Sequence, residues 1–134
     1  MKQLIVKDNA ALRRLLHSLV QVLAAAVYEC GAGAEAFRAY AANRPDWVLM
    51  DIQLPHLDSL IATRQLTTLW PGAKVMIVTE YDEAPLRQRA RVAGACAYVV
   101  KDELGEVRRI LTAEMEDQSV GSRARPQELR KPIG

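Results

Sequence analysis

The sequence predicts an α/β protein: five βα units, (βα)5, forming a doubly wound five-stranded parallel sheet in three α/β/α layers. Three observations carry this. Short β-branched apolar blocks alternate with longer segments of helical period, the pattern of a parallel sheet wrapped by helices. The blocks LIV, WVLM and VMIV are continuously apolar, as strands covered on both faces should be. Glycine and proline punctuate the junctions between them.

Strands are expected over 3–6, 26–30, 47–50, 74–79 and 97–100, with helices over 10–23, 34–43, 60–69, 84–93 and 104–116. Gly31 and Gly33 follow the second strand, and Asn43-Arg44-Pro45 closes the second helix. Trp70-Pro71-Gly72 closes the third helix, and Gly94 stands just beyond the fourth. Right-handed crossovers wind such units into an open sheet whose ligand site lies at the carboxyl ends of the strands. Residues 1–117 form this domain. From 118 the sequence turns poor in large apolar residues, with two prolines and clustered basic charge, and reads as a flexible linker or tail.

At 134 residues the chain holds one core, and its 50% hydrophobic and 25% charged residues exclude a disordered or fibrous protein. The formal charge of +2 invites a nucleic-acid reading, but its location argues against one. Arg123, Arg125, Arg130 and Lys131 against Glu128 give the tail +3 and leave 1–117 at −1. Four charges on a flexible segment would bind nucleic acid weakly and without sequence choice. Cys30 and Cys96 lie far apart, with no metal-ligand spacing to His17 or His56, so neither a disulfide framework nor a zinc site is expected. No membrane span or targeting segment is visible, which fits a cytoplasmic protein.

Successive strand ends carry Lys7-Asp8, Asp51, Thr79-Glu80 and Lys101-Asp102. Two carboxylates, a hydroxyl and an ammonium around one pocket suit a hard divalent cation and a phosphoryl group. Aspartate can attack phosphorus to give an acyl phosphate, while Lys and Thr contact its oxygens. Taken singly, each has a plainer role: an Asp at a strand end caps a helix, a Thr bonds backbone, a Lys is solvated. Their convergence is what gives them weight.

Four segments, QLIVKDNAALRRLL, DWVLMDIQLPHLDSL, VMIVTEYDE and AGACAYVVKDEL, resemble a bacterial response-regulator receiver domain over about residues 2–117, with its flavodoxin-like, CheY-like fold. The resemblance implies that Asp51 is the phosphoacceptor. It also implies a Mg²⁺ ion held by Asp8, Asp51 and the backbone carbonyl of Gln53. Thr79 would be the switch hydroxyl, Lys101 the phosphate-contacting cation and Tyr98 the aromatic switch, with Pro55 shaping the site loop. Four positions depart from the family. Lys7 replaces the first of two adjacent acids and disfavours Mg²⁺ by like-charge repulsion. Glu80 stands where a small residue is usual and is a candidate partner for Lys7. His56 and Ser59 stand in a loop where the family often has glycine.

ATRQL and AGACAYVVKDEL are similar to receivers of the NarL/FixJ type, which a helix-turn-helix DNA-binding domain normally follows; that domain is absent from these 134 residues. The resemblance implies a phosphoprotein of a two-component system, phosphorylated by a sensor histidine kinase or phosphotransfer protein and regulating transcription or binding a protein. It is not classed as an enzyme beyond its own phosphorylation and dephosphorylation. A homodimer through the fourth helix, fifth strand and fifth helix would use Arg89, Arg108 and Arg109 against Glu83 and Asp102. Two other readings stay open. One is a pseudo-receiver acting by binding alone; the other is a small flavin- or nucleotide-binding protein, against which stands the lack of any G-x-G-x-x-G or P-loop.

Overall fold

The computed structural model of the chain describes residues 2–7, 10–21, 26–31, 33–52 and 58–120. Its strands are β1 (Lys2–Val6), β2 (Ala26–Cys30), β3 (Trp47–Met50), β4 (Val75–Thr79) and β5 (Ala97–Val100). The helices are α1 (Ala10–Val20), α2 (Gly33–Asn43), α3 (Asp58–Leu69), α4 (Ala84–Ala93) and α5 (Gly105–Val120), with a 3-10 turn at Lys101–Glu103. All strand pairs are parallel, in the order β2-β1-β3-β4-β5. This is the expected flavodoxin-like (βα)5 arrangement. It places β1 and β3 side by side at the centre, where the order reverses and a crevice opens at the strand ends.

Each central strand feeds two cores by alternation, because successive side chains point to opposite faces. Leu4, Val6, Val48, Met50, Val75 and Ile77 face α2, α3 and α4, where Ala36, Tyr40, Leu66 and Ala90 meet them. Ile5, Trp47, Leu49, Met76 and Val78 face α1 and α5, against Leu16, Val20, Val107 and Leu111. The continuous apolar runs are thus the sum of two alternating sets. Around Trp70, the rings of Phe37 and Tyr40 pack at 5.3 and 4.8 Å, and the Arg44 guanidinium lies 4.9 Å from the ring centroid.

Several element ends shift from expectation by one or two residues, and two helix ends by more. The last helix runs to Val120, past the 117 boundary, because MEDQSV contains no helix breaker before Gly121. The first ends at Val20 rather than 23; residues 22–25 lie outside the described residues, as does the basic tail from 121 onward. Helix α4 closes as the sequence predicts. Gly94 takes φ 110° and its N–H donates to the Arg91 carbonyl, while Ala95 N–H donates to Ala90.

Candidate functional site

The parallel ladder between β1 and β3 pairs Ile5 with Leu49 and Val6 with Met50. It continues one residue further: Lys7 N–H donates to the Cys30 carbonyl and Asp51 N–H to the Val6 carbonyl. Lys7 and Asp51 therefore form the next rung, on the side of the sheet that Ile5 and Leu49 share. Asp51 keeps 16% side-chain exposure, whereas Lys7 keeps none, and Lys7 Nζ lies 3.2 Å from Asp51 Oδ1. A second donor from the same ammonium goes to the Val78 carbonyl on β4.

Burial pushes Lys7 down to about 8 from its ordinary 10.5, although Asp51 beside it pulls the other way. Burial also raises the Asp51 carboxyl above its ordinary value, against the opposing charge of Lys7 and the Thr79 hydroxyl. For both partners desolvation outweighs the pairing.

Thr79 ends β4 on the same crevice, fully buried, its hydroxyl donating to the Ile52 carbonyl at 3.3 Å and accepting from Tyr81 N–H at 3.4 Å. Lys101 opens the turn after β5 with an exposed side chain, close enough to Lys7 to act on its titration. Tyr98 turns toward the α2/α3/α4 core and its hydroxyl donates to the Tyr81 carbonyl at 2.6 Å, joining β5 to the segment after β4. Replacing Tyr98 with Phe is expected to cost about 1 kcal/mol, the net worth of one such bond. Urea unfolding at equal slope would measure it; an unchanged midpoint would show that this bond adds nothing.

The structure brings Asp51, Thr79 and Lys7 together, while Tyr98 packs toward the α2/α3/α4 core. Asp8, Gln53, Pro55 and His56 lie outside the described residues. Ser59 does not sit in a loop: it lies in the first turn of α3, buried, its carbonyl accepting the Thr63 hydroxyl. Glu80, the candidate partner, acts on Lys7 only through its charge, more weakly than Asp51 does. Lys7 lies inside the site, its ion pair is with Asp51, and Glu80 is exposed.

Two arginines that sequence reasoning assigned no role also bear on the site. Arg13 on α1 donates to the Lys7 carbonyl at 2.6 Å and holds Glu29 at 3.2 Å, with His17 on the other carboxylate oxygen. Arg87 lies 4.6 Å over the Tyr98 ring and is anchored by Asp82 at 3.0 Å. The helical period of α4 shows only that Arg87 is off the core face; its ring partner comes from another element.

A divalent cation does not fit the described residues. At an effective dielectric near 20, a doubly charged ion 4 Å from the ammonium would be repelled by about 8 kcal/mol, roughly what one carboxylate at that distance would return. Among the described residues no three His, Cys, Asp or Glu side chains are grouped to hold a metal.

The family model for the response regulator receiver domain matches residues 4–113. The chain belongs to that family. It is similar to the DNA-binding transcriptional activator DevR/DosR of Mycobacterium tuberculosis, 35% identical over 109 residues that cover 78% of this chain and 49% of the relative. It is also similar to the response regulator GacA of Pseudomonas aeruginosa, 33% identical over 104 residues, 75% of this chain and 48% of the relative. The chain thus spans about half the length of these curated relatives. Among solved structures it resembles a LuxR-family two-component response regulator from Aurantimonas sp. SI85-9A1, with TM-score 0.72, 28% identity, and coverage of 84% of this chain and 85% of that one. Receivers of this family generally bind Mg²⁺ at the phosphorylation site, which sets the Lys7 rung apart.

Proposed function

We propose that this chain accepts a phosphoryl group on Asp51 from a sensor histidine kinase or phosphotransfer protein and controls a transcriptional or protein-interaction output. The observation that carries this is the Lys7–Asp51 rung at the strand ends, with Thr79 on the same crevice. Asp51 supplies the nucleophile and keeps the solvent access a donor needs. Lys101 is the exposed cation available to a phosphoryl oxygen. The Tyr98 bond to the Tyr81 carbonyl ties the segment after Thr79 to β5, so a change at Thr79 has a route to the α4–β5–α5 surface.

DevR/DosR is named as DNA-binding, and transcriptional output follows here by analogy, through a DNA-binding domain outside these 134 residues. The α4–β5–α5 face is the proposed homodimer surface, formed by Arg89 and Arg108 with Glu83 and Asp102. Arg109 is already bonded to Glu106 on its own helix, which weakens its part in such a dimer. Among the described residues no helix is long and apolar enough to cross a membrane, and a cytoplasmic location follows by family analogy.

Incubation with acetyl phosphate, followed by intact-mass and peptide mapping, tests the reading. One phosphoryl group is expected on Asp51 and none on the Asp51→Asn variant. An unmodified parent chain would favour a receiver that acts by binding alone.

A further inference from the structure

We propose that the Lys7 ammonium stands at Asp51 in place of a divalent cation, so that Asp51 is phosphorylated without metal. This rests on the reading of Asp51 as the phosphoacceptor. Three observations carry it. The ladder register makes Lys7 the rung partner of Asp51 and sets Nζ 3.2 Å from Oδ1. The ammonium is fixed from a second side by the Val78 carbonyl. The Lys7 side chain is fully buried, although a lysine at a strand end could reach solvent.

A buried, doubly held ammonium is a fixed positive charge next to the attacking oxygen. Of its three N–H donors, one serves Val78 and one faces Asp51, and among the described residues the third is open to a phosphoryl oxygen. That is the service expected of a cation in phosphoryl transfer: neutralising donor and acceptor oxygens while both are held in line. With acetyl phosphate the step balances without metal or proton. An Asp51 carboxylate oxygen forms the new bond to phosphorus, the bond between phosphorus and the acetyl oxygen breaks, and acetate leaves with the electron pair.

Two measurements test this separately from the phosphoacceptor assignment. Free Mn²⁺ is followed by electron paramagnetic resonance as protein is added. The parent chain is expected to leave the signal unchanged at millimolar metal, while Lys7→Asp takes up one ion. Uptake of an ion by the parent chain would overturn the proposal whatever the phosphorylation result.

In the second measurement the parent chain reacts with acetyl phosphate in EDTA or in Mg²⁺. Equal rates are expected, whereas Lys7→Asp should lose about a hundredfold on chelation, the usual scale for removing an electrostatic stabiliser. Parent phosphorylation in Mg²⁺ alone overturns the proposal and leaves Asp51 as the acceptor. Phosphorylation in neither overturns the acceptor assignment and with it metal-free transfer; the Mn²⁺ result then decides only whether Lys7 displaces the cation. The parent comparisons need no variant, so a misfolded Lys7→Asp protein leaves both decisive.

Discussion

Lys7→Met is expected to be more stable than the parent chain at pH 7, on the order of 1–3 kcal/mol, even though it deletes one half of an ion pair and the bond to the Val78 carbonyl. Each unit of pKa displacement corresponds to about 1.4 kcal/mol of differential interaction, and the folded chain holds Lys7 at about 8 against an ordinary 10.5. The unfolded chain binds this proton more tightly. Below pH 8 both states carry it, and the folded state bears the full penalty of a buried ammonium. Between pH 8 and 10.5 the folded state sheds the proton first, so parent stability rises with pH; above that window the penalty is gone. Methionine matches the unbranched stem and has no proton to lose. Its advantage is therefore present at pH 7 and fades by pH 10.5. Asp51 is partly exposed, so water can solvate the carboxylate left behind. Its raised carboxyl contributes stability at low pH that is lost as pH rises through the folded value. Denaturant unfolding of both proteins at pH 7, 9 and 10.5 measures the gap, and a variant less stable at pH 7, or a gap independent of pH, would sink the argument. On the proposed reading of Asp51 as phosphoacceptor, the same substitution removes the cation beside the nucleophile, and the parent chain retains a costly group where that chemistry needs it.

The strands were legible because each apolar block is β-branched, short and bounded by turn residues, and the strand ends then named Asp51, Thr79 and Lys101 as neighbours. What no local pattern encodes is which way a side chain turns where a strand runs out. Lys7 reads in sequence as a charge at the rim, with Glu80 a plausible partner. Only the β1–β3 register makes it the rung opposite Asp51 and seals it beneath β4. Arg87 is similar: its own helix places it away from the core, and its position over Tyr98 depends on how α4 meets β5. Pairings across elements are set by packing, whereas element identity is set by period and punctuation. Gly94 shows the two layers together, since its role as a helix stop is written in the sequence and the closeness of its neighbour is not.

Gly94→Ala is expected to destabilise the fold by about 3 kcal/mol, from two causes that add. Gly94 has φ 110°, outside the range L side chains adopt comfortably, and such a backbone costs on the order of 1–3 kcal/mol once a Cβ is present. The added Cβ would also stand 2.3 Å from Thr67 Oγ1 and 2.8 Å from Thr67 Cβ, and overpacking of this kind costs roughly 1–3 kcal/mol. Thr67 cannot simply swing aside. Its one hydroxyl proton is shared between the Ala93 carbonyl at 2.9 Å, one residue before the glycine, and the Thr63 carbonyl on its own helix at 3.0 Å, which locks α3 against the end of α4. Moving Thr67 forfeits that bridge, and moving Gly94 disturbs the closing bonds from Gly94 to Arg91 and from Ala95 to Ala90. Thr67→Ala in the Gly94→Ala background should restore only part of the loss: it removes the hydroxyl and methyl but leaves a Cβ at 2.8 Å, and the strained φ is untouched. Gly72→Ala is the control, since nothing lies within 4 Å of its added Cβ and its backbone φ is ordinary. Thermal unfolding of the four proteins measures the series; equal losses at 72 and 94 would show that contact with Thr67 and the left-handed backbone have no part in holding α4.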